Sequence, residues 1–131
     1  MKKILIVEDT KDGMEIMTRS LEKNYLIIKA YNGQEALEKT ISEKPDLILM
    51  DISLPILDGL SVTRRIRCAK DMENIPVIAI SASAMPHNIK DAFAAGCNDF
   101  IAKPVRPGLL REKVSQMVDS QQSTVHGQQS T

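Results

Sequence analysis

The stretch LILMDISLPILDG, residues 47–59, decides the fold. It opens with four apolar residues, the pattern of a short strand that is buried on both faces. The charged Asp51 follows where the chain leaves the core, and Pro55 and Gly59 then shape the loop into the next segment. A buried strand that ends in a carboxylate is typical of an open parallel α/β sheet, because functional groups gather at the carboxyl ends of its strands.

Short aliphatic runs of the same kind recur on both sides of this stretch and alternate with longer amphipathic segments. The runs are KILIV (3–7), LIIKA (26–30), LILM (47–50), VIAIS (77–81) and DFIA (99–102). This alternation predicts right-handed βαβ units and a parallel sheet. We therefore predict an α/β fold, a flavodoxin-like (βα)5 three-layer sandwich whose five-stranded parallel sheet has the order 2-1-3-4-5.

Several residues mark where the helices begin and end. Asn32, with Glu35 three residues later, predicts a capping box at the start of a helix that carries Leu37 and Ile41. Gly96 is a residue type that often stands just past a helix end. These signals place helices between the predicted strands.

The chain is predicted to form one domain and a tail. Its 131 residues fit a single domain. The last helix is predicted near residues 107–119, and the segment after it, SQQSTVHGQQST, is polar and contains QQST twice. We therefore predict a domain over residues 1–119 and a flexible polar tail over residues 120–131.

Composition argues against several kinds of partner. The formal net charge is +0, which gives no electrostatic reason to bind nucleic acid directly, and an aromatic content of 3% argues against a base-stacking surface. The lack of an apolar run near ~18 residues predicts no membrane insertion. Cys68 and Cys97 match no metal-binding spacing, and we interpret them as reduced thiols of a cytoplasmic protein.

Polar side chains stand at the ends of four predicted strands, and the predicted order brings them to one edge of the sheet. Glu8 and Asp9 follow the first strand, Asp51 the third, Ser81 ends the fourth, and Lys103 follows the fifth. Two like charges ~4 Å apart cost about 4 kcal/mol at an effective dielectric of roughly 20, so clustered carboxylates call for a cation. Oxygen ligands with room for water suit Mg²⁺, with Mn²⁺ possible.

A metal and a lysine around one carboxylate form an arrangement that can hold a phosphoryl group, because both neutralise its oxygens. Asp51 is then the nucleophile that forms an acyl phosphate. A flavin-binding flavodoxin needs a Ser/Thr/Gly-rich first loop at its phosphate site, whereas the first loop here is the acidic EDTKDG (8–13). The sequence motif of P-loop NTPases is absent. A dehalogenase-type phosphatase places its aspartate after the first strand, with a second aspartate where Ser53 stands here.

Four motifs, in this order and spacing, resemble the receiver domain of bacterial response regulators, of the chemotaxis-regulator type. They are ILIVED (4–9), LILMDISLPILDG (47–59), VIAISASA (77–84) and DFIAKP (99–104), and the resemblance covers residues 2 to about 119. It implies that a sensor histidine kinase or a histidine phosphotransfer protein donates a phosphoryl group. It also implies that a conformational switch signals to a downstream protein target.

The resemblance assigns a role to each residue of the acidic cluster. Asp51 is the phosphoryl acceptor, and Asp9 and Asp51 bind Mg²⁺ directly. Glu8 contributes to the metal through water, and the backbone carbonyl of Ser53 is a further ligand. Lys103 pairs with the phosphoryl group or with Asp51. On this view the protein is no enzyme apart from catalysing its own phosphorylation and dephosphorylation.

Further positions match the family's switch and water-access residues. The hydroxyl of Ser81 is expected to hydrogen-bond a phosphoryl oxygen. Phe100 occupies the position of the switch aromatic, and it would act by packing alone because it has no hydroxyl. Ser53 and Ser83 flank the approach of the hydrolytic water. The peptide bond of Lys103–Pro104 is expected to be cis. The output surface is expected on the last helix, the helix after Ser81 and the strand that ends at Lys103.

Three modes of action fit these residues. The methionine start directly before the first strand and the short polar tail favour a stand-alone regulator that binds a partner. The alternatives are a phosphorelay shuttle between histidine-containing proteins and a receiver fragment of a longer regulator with an output domain.

Overall fold

The structure, a computed structural model, describes residues 1–54 and 58–130, with side chains as far as residue 119. The loop-shaping role predicted for Pro55 lies outside the described residues. Within them, strands and helices alternate along the chain, as the aliphatic runs predicted. The elements are β1 (Lys3–Val7), α1 (Lys11–Leu21), β2 (Leu26–Ala30), α2 (Gly33–Glu43), β3 (Leu47–Asp51), α3 (Gly59–Cys68), β4 (Val77–Ser81), α4 (Pro86–Ala94), β5 (Asp99–Ala102) and α5 (Pro107–Ser130).

The strands form one parallel sheet with the order β2-β1-β3-β4-β5, which confirms the predicted topology. β3 and β4 are buried along their whole length, as expected for central strands that are covered on both faces. One apolar cluster lies between the sheet and helices α1 and α5, and it includes Met14, Met17 and Leu110. The other includes Val62 and Ala92 and lies on the face that α2, α3 and α4 cover. The three-layer sandwich is therefore confirmed.

Helix ends follow the predicted signals at two places. Asn32 caps α2 by accepting the backbone N–H of Glu35 at 2.8 Å, and the Glu35 carboxylate reaches back to the N–H of Tyr31. Gly96 follows the end of α4 with a φ of 110°, a left-handed conformation that favours glycine. The N–H groups of Gly96 and Cys97 donate to carbonyls of the last turn of α4, which closes a Schellman motif.

Two helices show features that the sequence did not predict. Helix α2 buries Ala36 and Thr40 against the sheet, whereas its apolar Ile41 is 60% exposed. Helix α5 continues to Ser130, beyond the end predicted near residue 119, although the last core residue described on it is Val118. The division into a domain and a flexible tail stays a prediction. Over the part of the chain that is described, no helix has the length and apolarity needed to cross a bilayer.

Candidate active site

The pairing of β1 with β3 brings three acidic side chains together. Val7 lies opposite Met50 in the parallel register, so the residues that follow each strand emerge at the same edge. Glu8 is 0% exposed and Asp51 is 1% exposed, whereas Asp9 is exposed. One carboxylate oxygen from each of Glu8, Asp9 and Asp51 lies within 4.8 Å of the others. The convergence predicted from the strand ends is therefore present.

Lys103 reaches this cluster from the end of β5. The backbone N–H of Lys103 donates to the carbonyl of Ser81 at 2.8 Å, which continues the pairing of β4 with β5 past the last strand residue. Its ammonium Nζ lies 3.0 Å from Oε1 of Glu8 and 3.2 Å from Oδ2 of Asp51. The peptide bond between Lys103 and Pro104 is cis, as the resemblance implied.

The charges at this edge are unbalanced. Burial raises the pKa of Asp51, and the charge of Glu8 adds to this effect, so that the bonds from Ser53 and Lys103 offset it only in part. Burial acts in the same direction on Glu8, but the hydrogen bonds from Thr10 and the ion pair with Lys103 outweigh it and leave the pKa of Glu8 lowered. Burial alone lowers the pKa of Lys103, yet its two carboxylate partners raise it overall. One ammonium thus faces two buried carboxylates.

The donor set fits a hard divalent cation. Oε1 of Glu8 is buried and has no hydrogen-bond partner among the described residues, only the ion-pair contact with Lys103. The carboxylates supply oxygen ligands, and the exposed Asp9 leaves the site open to water. Oxygen ligands with retained water suit Mg²⁺ or Mn²⁺ better than zinc. The backbone N–H of Ser53 donates to Oδ1 of Asp51 at 2.8 Å, which fixes the turn after β3 beside this cluster.

Three of the residues predicted as switch or water-access positions, Ser53, Ser81 and Ser83, lie at the same edge, whereas Phe100 lies further back on β5, opposite Ala79. Ser81 is buried at the end of β4, and its hydroxyl oxygen accepts the N–H of Ser83 at 3.1 Å. The Ser83 hydroxyl in turn accepts a hydrogen bond from the side chain of Asn88 at the start of α4. Phe100 is half-buried on β5 and packs against the cluster that α2, α3 and α4 cover. Ser53 is exposed beside Asp51.

Thr10 is a functional candidate that the sequence reading missed. Its N–H and its hydroxyl both donate to Oε2 of Glu8, at 3.1 and 2.8 Å. The available signal was a threonine at a helix start directly after an acidic pair, a common N-cap residue type. Its contact with Glu8 depends on how the chain turns from β1 into α1, which the residue types alone do not specify.

Comparison with known proteins agrees with this geometry. The family model of the response regulator receiver domain matches residues 4–115. The polar-differentiation response regulator DivK of Brucella anthropi is 39% identical over 105 residues, which span 79% of this chain and 85% of DivK. A hybrid signal transduction histidine kinase, kinase G of Dictyostelium discoideum, is 41% identical over 113 residues, which span 83% of this chain but 3% of the kinase.

A solved structure shows a metal in the corresponding fold. The receiver domain of a Pseudomonas aeruginosa sensor histidine kinase was crystallised with a magnesium ion coordinated in its active-site cleft. It is 32% identical, with a TM-score of 0.84, and the match covers 91% of this chain and 98% of that domain. With the family model spanning the sheet and the acidic edge, this chain belongs to the receiver domains of two-component response regulators, which are signalling modules.

Proposed function

We propose that Asp51 accepts a phosphoryl group from a phosphohistidine of a sensor histidine kinase or histidine phosphotransfer protein. The observation that carries this assignment is the buried Asp51 carboxylate, 3.2 Å from the ammonium of Lys103 and clustered with two further carboxylates. An acceptor needs a carboxylate at the site and positive charge for the incoming oxygens, and this edge holds both.

Mg²⁺ is the proposed cofactor, with Mn²⁺ as an alternative. Asp9, Asp51 and the backbone carbonyl of Ser53 are its proposed protein ligands, and Glu8 acts through water. The ion supplies neutralisation of phosphoryl oxygens when it is bound. The surplus of carboxylates over ammonium groups at this edge supports this assignment.

The transfer forms one bond and breaks one bond. A carboxylate oxygen of Asp51 bonds to phosphorus while the bond from phosphorus to the donor imidazole nitrogen breaks, and the released nitrogen takes up a proton from water. Lys103 already lies within contact of Asp51, so its ammonium can offset charge on the phosphoryl oxygens without a large movement. In hydrolysis a water oxygen bonds to phosphorus while the bond from phosphorus to the Asp51 oxygen breaks, which releases phosphate and restores the carboxylate.

Phosphorylation is proposed to shift a conformational equilibrium read by a downstream protein. A change from 1:99 to 99:1 needs ~5.5 kcal/mol, and charge-assisted bonds from Ser81 and Lys103 to the phosphoryl group supply roughly 1.5–3 kcal/mol each. Ser81 is hydrogen-bonded to Ser83 ahead of α4, and Phe100 lies on β5. The proposed output surface is therefore α4, β5 and α5, with Phe100 acting through packing.

The proposed setting is a stand-alone cytoplasmic regulator whose only catalysis is its own phosphorylation and dephosphorylation. It binds protein partners and makes no direct contact with nucleic acid. The two free cysteines support a reducing compartment, since disulfides form mainly outside it. The match to 85% of the length of DivK supports the stand-alone form.

The test is phosphorylation with a small phosphodonor such as acetyl phosphate, followed by intact mass. Wild type with Mg²⁺ should gain one phosphoryl group that hydroxylamine removes. Asp51→Asn, and wild type in chelator, should gain none. Asp58→Asn is the matched control, because Asp58 is an exposed carboxylate that caps α3, a role that asparagine keeps. Full labelling of Asp51→Asn contradicts the assignment.

The lifetime of the acyl phosphate is proposed to depend on Ser53 and Ser83. Both side chains are exposed and small, so neither shields phosphorus with bulk. Ser53→Leu should prolong the acyl phosphate with little change in Mg²⁺ affinity, because the proposed metal contact is the backbone carbonyl. Time courses of dephosphorylation measure this, and an unchanged rate contradicts it.

A phosphorelay shuttle is the second candidate. Its support is the likeness to a segment of a hybrid histidine kinase and to the receiver domain of a sensor kinase. Phosphorylated protein incubated with a histidine phosphotransfer protein distinguishes the two roles. Transfer from Asp51 to histidine faster than hydrolysis favours the shuttle, and hydrolysis alone favours the stand-alone regulator.

A further inference from the structure

The two carboxylate oxygens of Glu8 have different surroundings. Oε2 accepts two hydrogen bonds from Thr10, one from its backbone N–H and one from its hydroxyl. Oε1 has no hydrogen-bond partner in the described chain and lies 3.0 Å from the ammonium of Lys103. Because the side chain is fully buried, these contacts rather than solvent set its orientation. Oε2 is held by Thr10, and Oε1 faces Lys103 at the acidic cluster.

Thr10 is itself fixed by the start of α1. Its hydroxyl oxygen accepts the backbone N–H of Gly13 at 3.1 Å, which makes Thr10 the N-cap of the helix. A hydroxyl has one proton to donate, and this proton goes to Glu8. The hydroxyl therefore links the helix backbone to the buried carboxylate, and its direction is set at both ends.

The absence of a side chain at Gly13 leaves the space that the side chains of Glu8 and Thr10 occupy. A Cβ atom at this position would lie 2.7 Å from Oγ1 of Thr10 and 2.8 Å from Cδ of Glu8, so one of them would have to move. Glycine is a poor residue inside a helix, and the φ of Gly13 is not in the left-handed region. The close approach of Glu8 and Thr10 is thus the structural reason for glycine here.

We propose that Thr10 and Gly13 are positioning residues that set the divalent-cation affinity of the site by holding Glu8 with Oε1 directed to it. This inference rests on the proposed function, which places Glu8 in the metal's surroundings. Hydrogen-bonding partners of metal-site ligands typically change metal affinity ~10–100-fold when they are removed. Since Glu8 is proposed to act through water, we expect the lower end of that range.

The first test removes the hydroxyl of Thr10. Mg²⁺ titrations of the full chain, followed by backbone amide NMR shifts, give the affinity without any phosphorylation assay. Thr10→Val should weaken Mg²⁺ binding about tenfold. Thr10→Ser keeps the hydroxyl and the backbone N–H as donors, so its Mg²⁺ affinity should lie within about twofold of wild type. Equal affinities of the valine and serine variants overturn the proposal.

A matched control separates positioning from capping. Asn32→Ala removes the cap of α2, whose side chain accepts the N–H of Glu35, and it should lower the melting temperature as Thr10→Val does. It should leave Mg²⁺ affinity unchanged, because α2 contributes no residue to the acidic cluster. A similar loss of Mg²⁺ affinity in Asn32→Ala overturns the proposal, since destabilisation alone would then account for the effect.

The second test is a double-mutant cycle on Glu8 and Gly13. Gly13→Ala should weaken Mg²⁺ binding about tenfold in the wild-type background, because its Cβ meets the end of the Glu8 side chain. In the Glu8→Asp background the side chain is shorter by one methylene, so Gly13→Ala should weaken Mg²⁺ binding by less than about threefold. Equal losses in both backgrounds overturn the proposal.

The wild-type titration separates this inference from the function on which it rests. Wild-type protein that does not bind Mg²⁺ contradicts the proposed function as well as the inference. Wild-type protein that binds, together with variants that bind equally well, contradicts the inference alone. Melting curves of each variant in chelator establish that the compared proteins are folded.

Discussion

Two half-buried cations, at opposite ends of the same sheet, have different surroundings. Arg67 lies near the amino ends of β4 and β5, where its guanidinium donates to the carbonyls of Gly96 and Ile75 at 2.9 and 2.7 Å. It also donates to Oδ1 of Asn98, which accepts the N–H of Val77 as well. Lys103, at the carboxyl ends, instead contacts two buried carboxylates.

The difference separates a structural cation, Arg67, from Lys103, for which a functional role is proposed. The described partners of Arg67 are neutral oxygens that its fixed donors satisfy, so that site has little left to bind. Burial lowers the pKa of Arg67, which shows that the fold bears a cost to keep the charge there. Around Lys103 the carboxylates of Glu8, Asp9 and Asp51 cluster near one ammonium, so negative charge is in excess. That imbalance is what a divalent cation can relieve.

The largest expected effect is the loss of stability when Arg67 is removed. Arg67→Ala should lower the free energy of unfolding by about 3 kcal/mol, because the two half-buried carbonyls of Gly96 and Ile75 and the side chain of Asn98 lose their donor. Phosphorylation by a small phosphodonor should persist at temperatures where the variant is folded. Urea denaturation measures the first quantity and intact mass the second.

Arg65 provides the control for this prediction, since it is an exposed arginine on the same helix. Arg65→Ala should change stability by less than about 0.5 kcal/mol. If Arg67→Ala instead abolished phosphorylation in folded protein, the contrast between the two ends of the sheet would fail.

The sheet and its charged edge were predictable because both depend on short local patterns. Four apolar residues before Asp51 indicate a strand covered on both faces, and the parallel order then places every strand end on one edge. Arg67 was not predictable in the same way. The run TRRIRC (63–68) contains three arginines, and only packing against the α4–β5 turn selects the one that is half-buried.

The exposed Ile41 and the hydrogen bonds of Thr10 have related explanations. The rotation of α2 about its axis is set by which small residues fit closest to the sheet, and these are Gly33, Ala36 and Thr40. Ile41 is more hydrophobic than these residues but lies on the exposed face. The contact of Thr10 with Glu8 depends on the turn from β1 into α1, and pattern reading carries no information on such geometry.

A smaller effect is expected at the other cation, and it should depend on metal. Lys103→Met leaves Glu8 and Asp51 buried without a counter-charge, so in chelator the variant should be about 2 kcal/mol less stable than wild type. Saturating Mg²⁺ should bring the variant back to about the stability of wild type in chelator, because a ligand at roughly 100 times its Kd stabilises the protein that binds it by about 2.7 kcal/mol. Chemical denaturation with and without Mg²⁺ measures both values.

Lys113 supplies the matched control for this metal dependence. Its ammonium lies 3.0 Å from Oδ2 of Asp99, both side chains are partly exposed, and the pair is separate from the acidic cluster. Lys113→Met should cost less than about 1 kcal/mol, with or without Mg²⁺. A loss in Lys103→Met that Mg²⁺ does not reduce would mean that the lysine serves packing rather than charge balance.

The smallest expected effect has the opposite sign and depends on pH. Burial and the charge of Glu8 raise the pKa of Asp51, so its ionised form destabilises the folded state when no metal is bound. Asp51→Asn should therefore be about 1 kcal/mol more stable than wild type in chelator at pH 7. A raised pKa means that the folded state holds its proton more tightly, so Asp51 contributes full stability below its unfolded pKa and loses that contribution as pH rises through the folded value.

The advantage of the asparagine variant should shrink as pH falls towards the ordinary range of an aspartate, and it should reverse in saturating Mg²⁺, where the carboxylate is a proposed ligand. Unfolding curves from pH 7 down to about 4, with and without Mg²⁺, measure both trends. An asparagine variant that is less stable at pH 7 in chelator would show that Lys103 already balances Asp51, which would remove the contrast with Arg67.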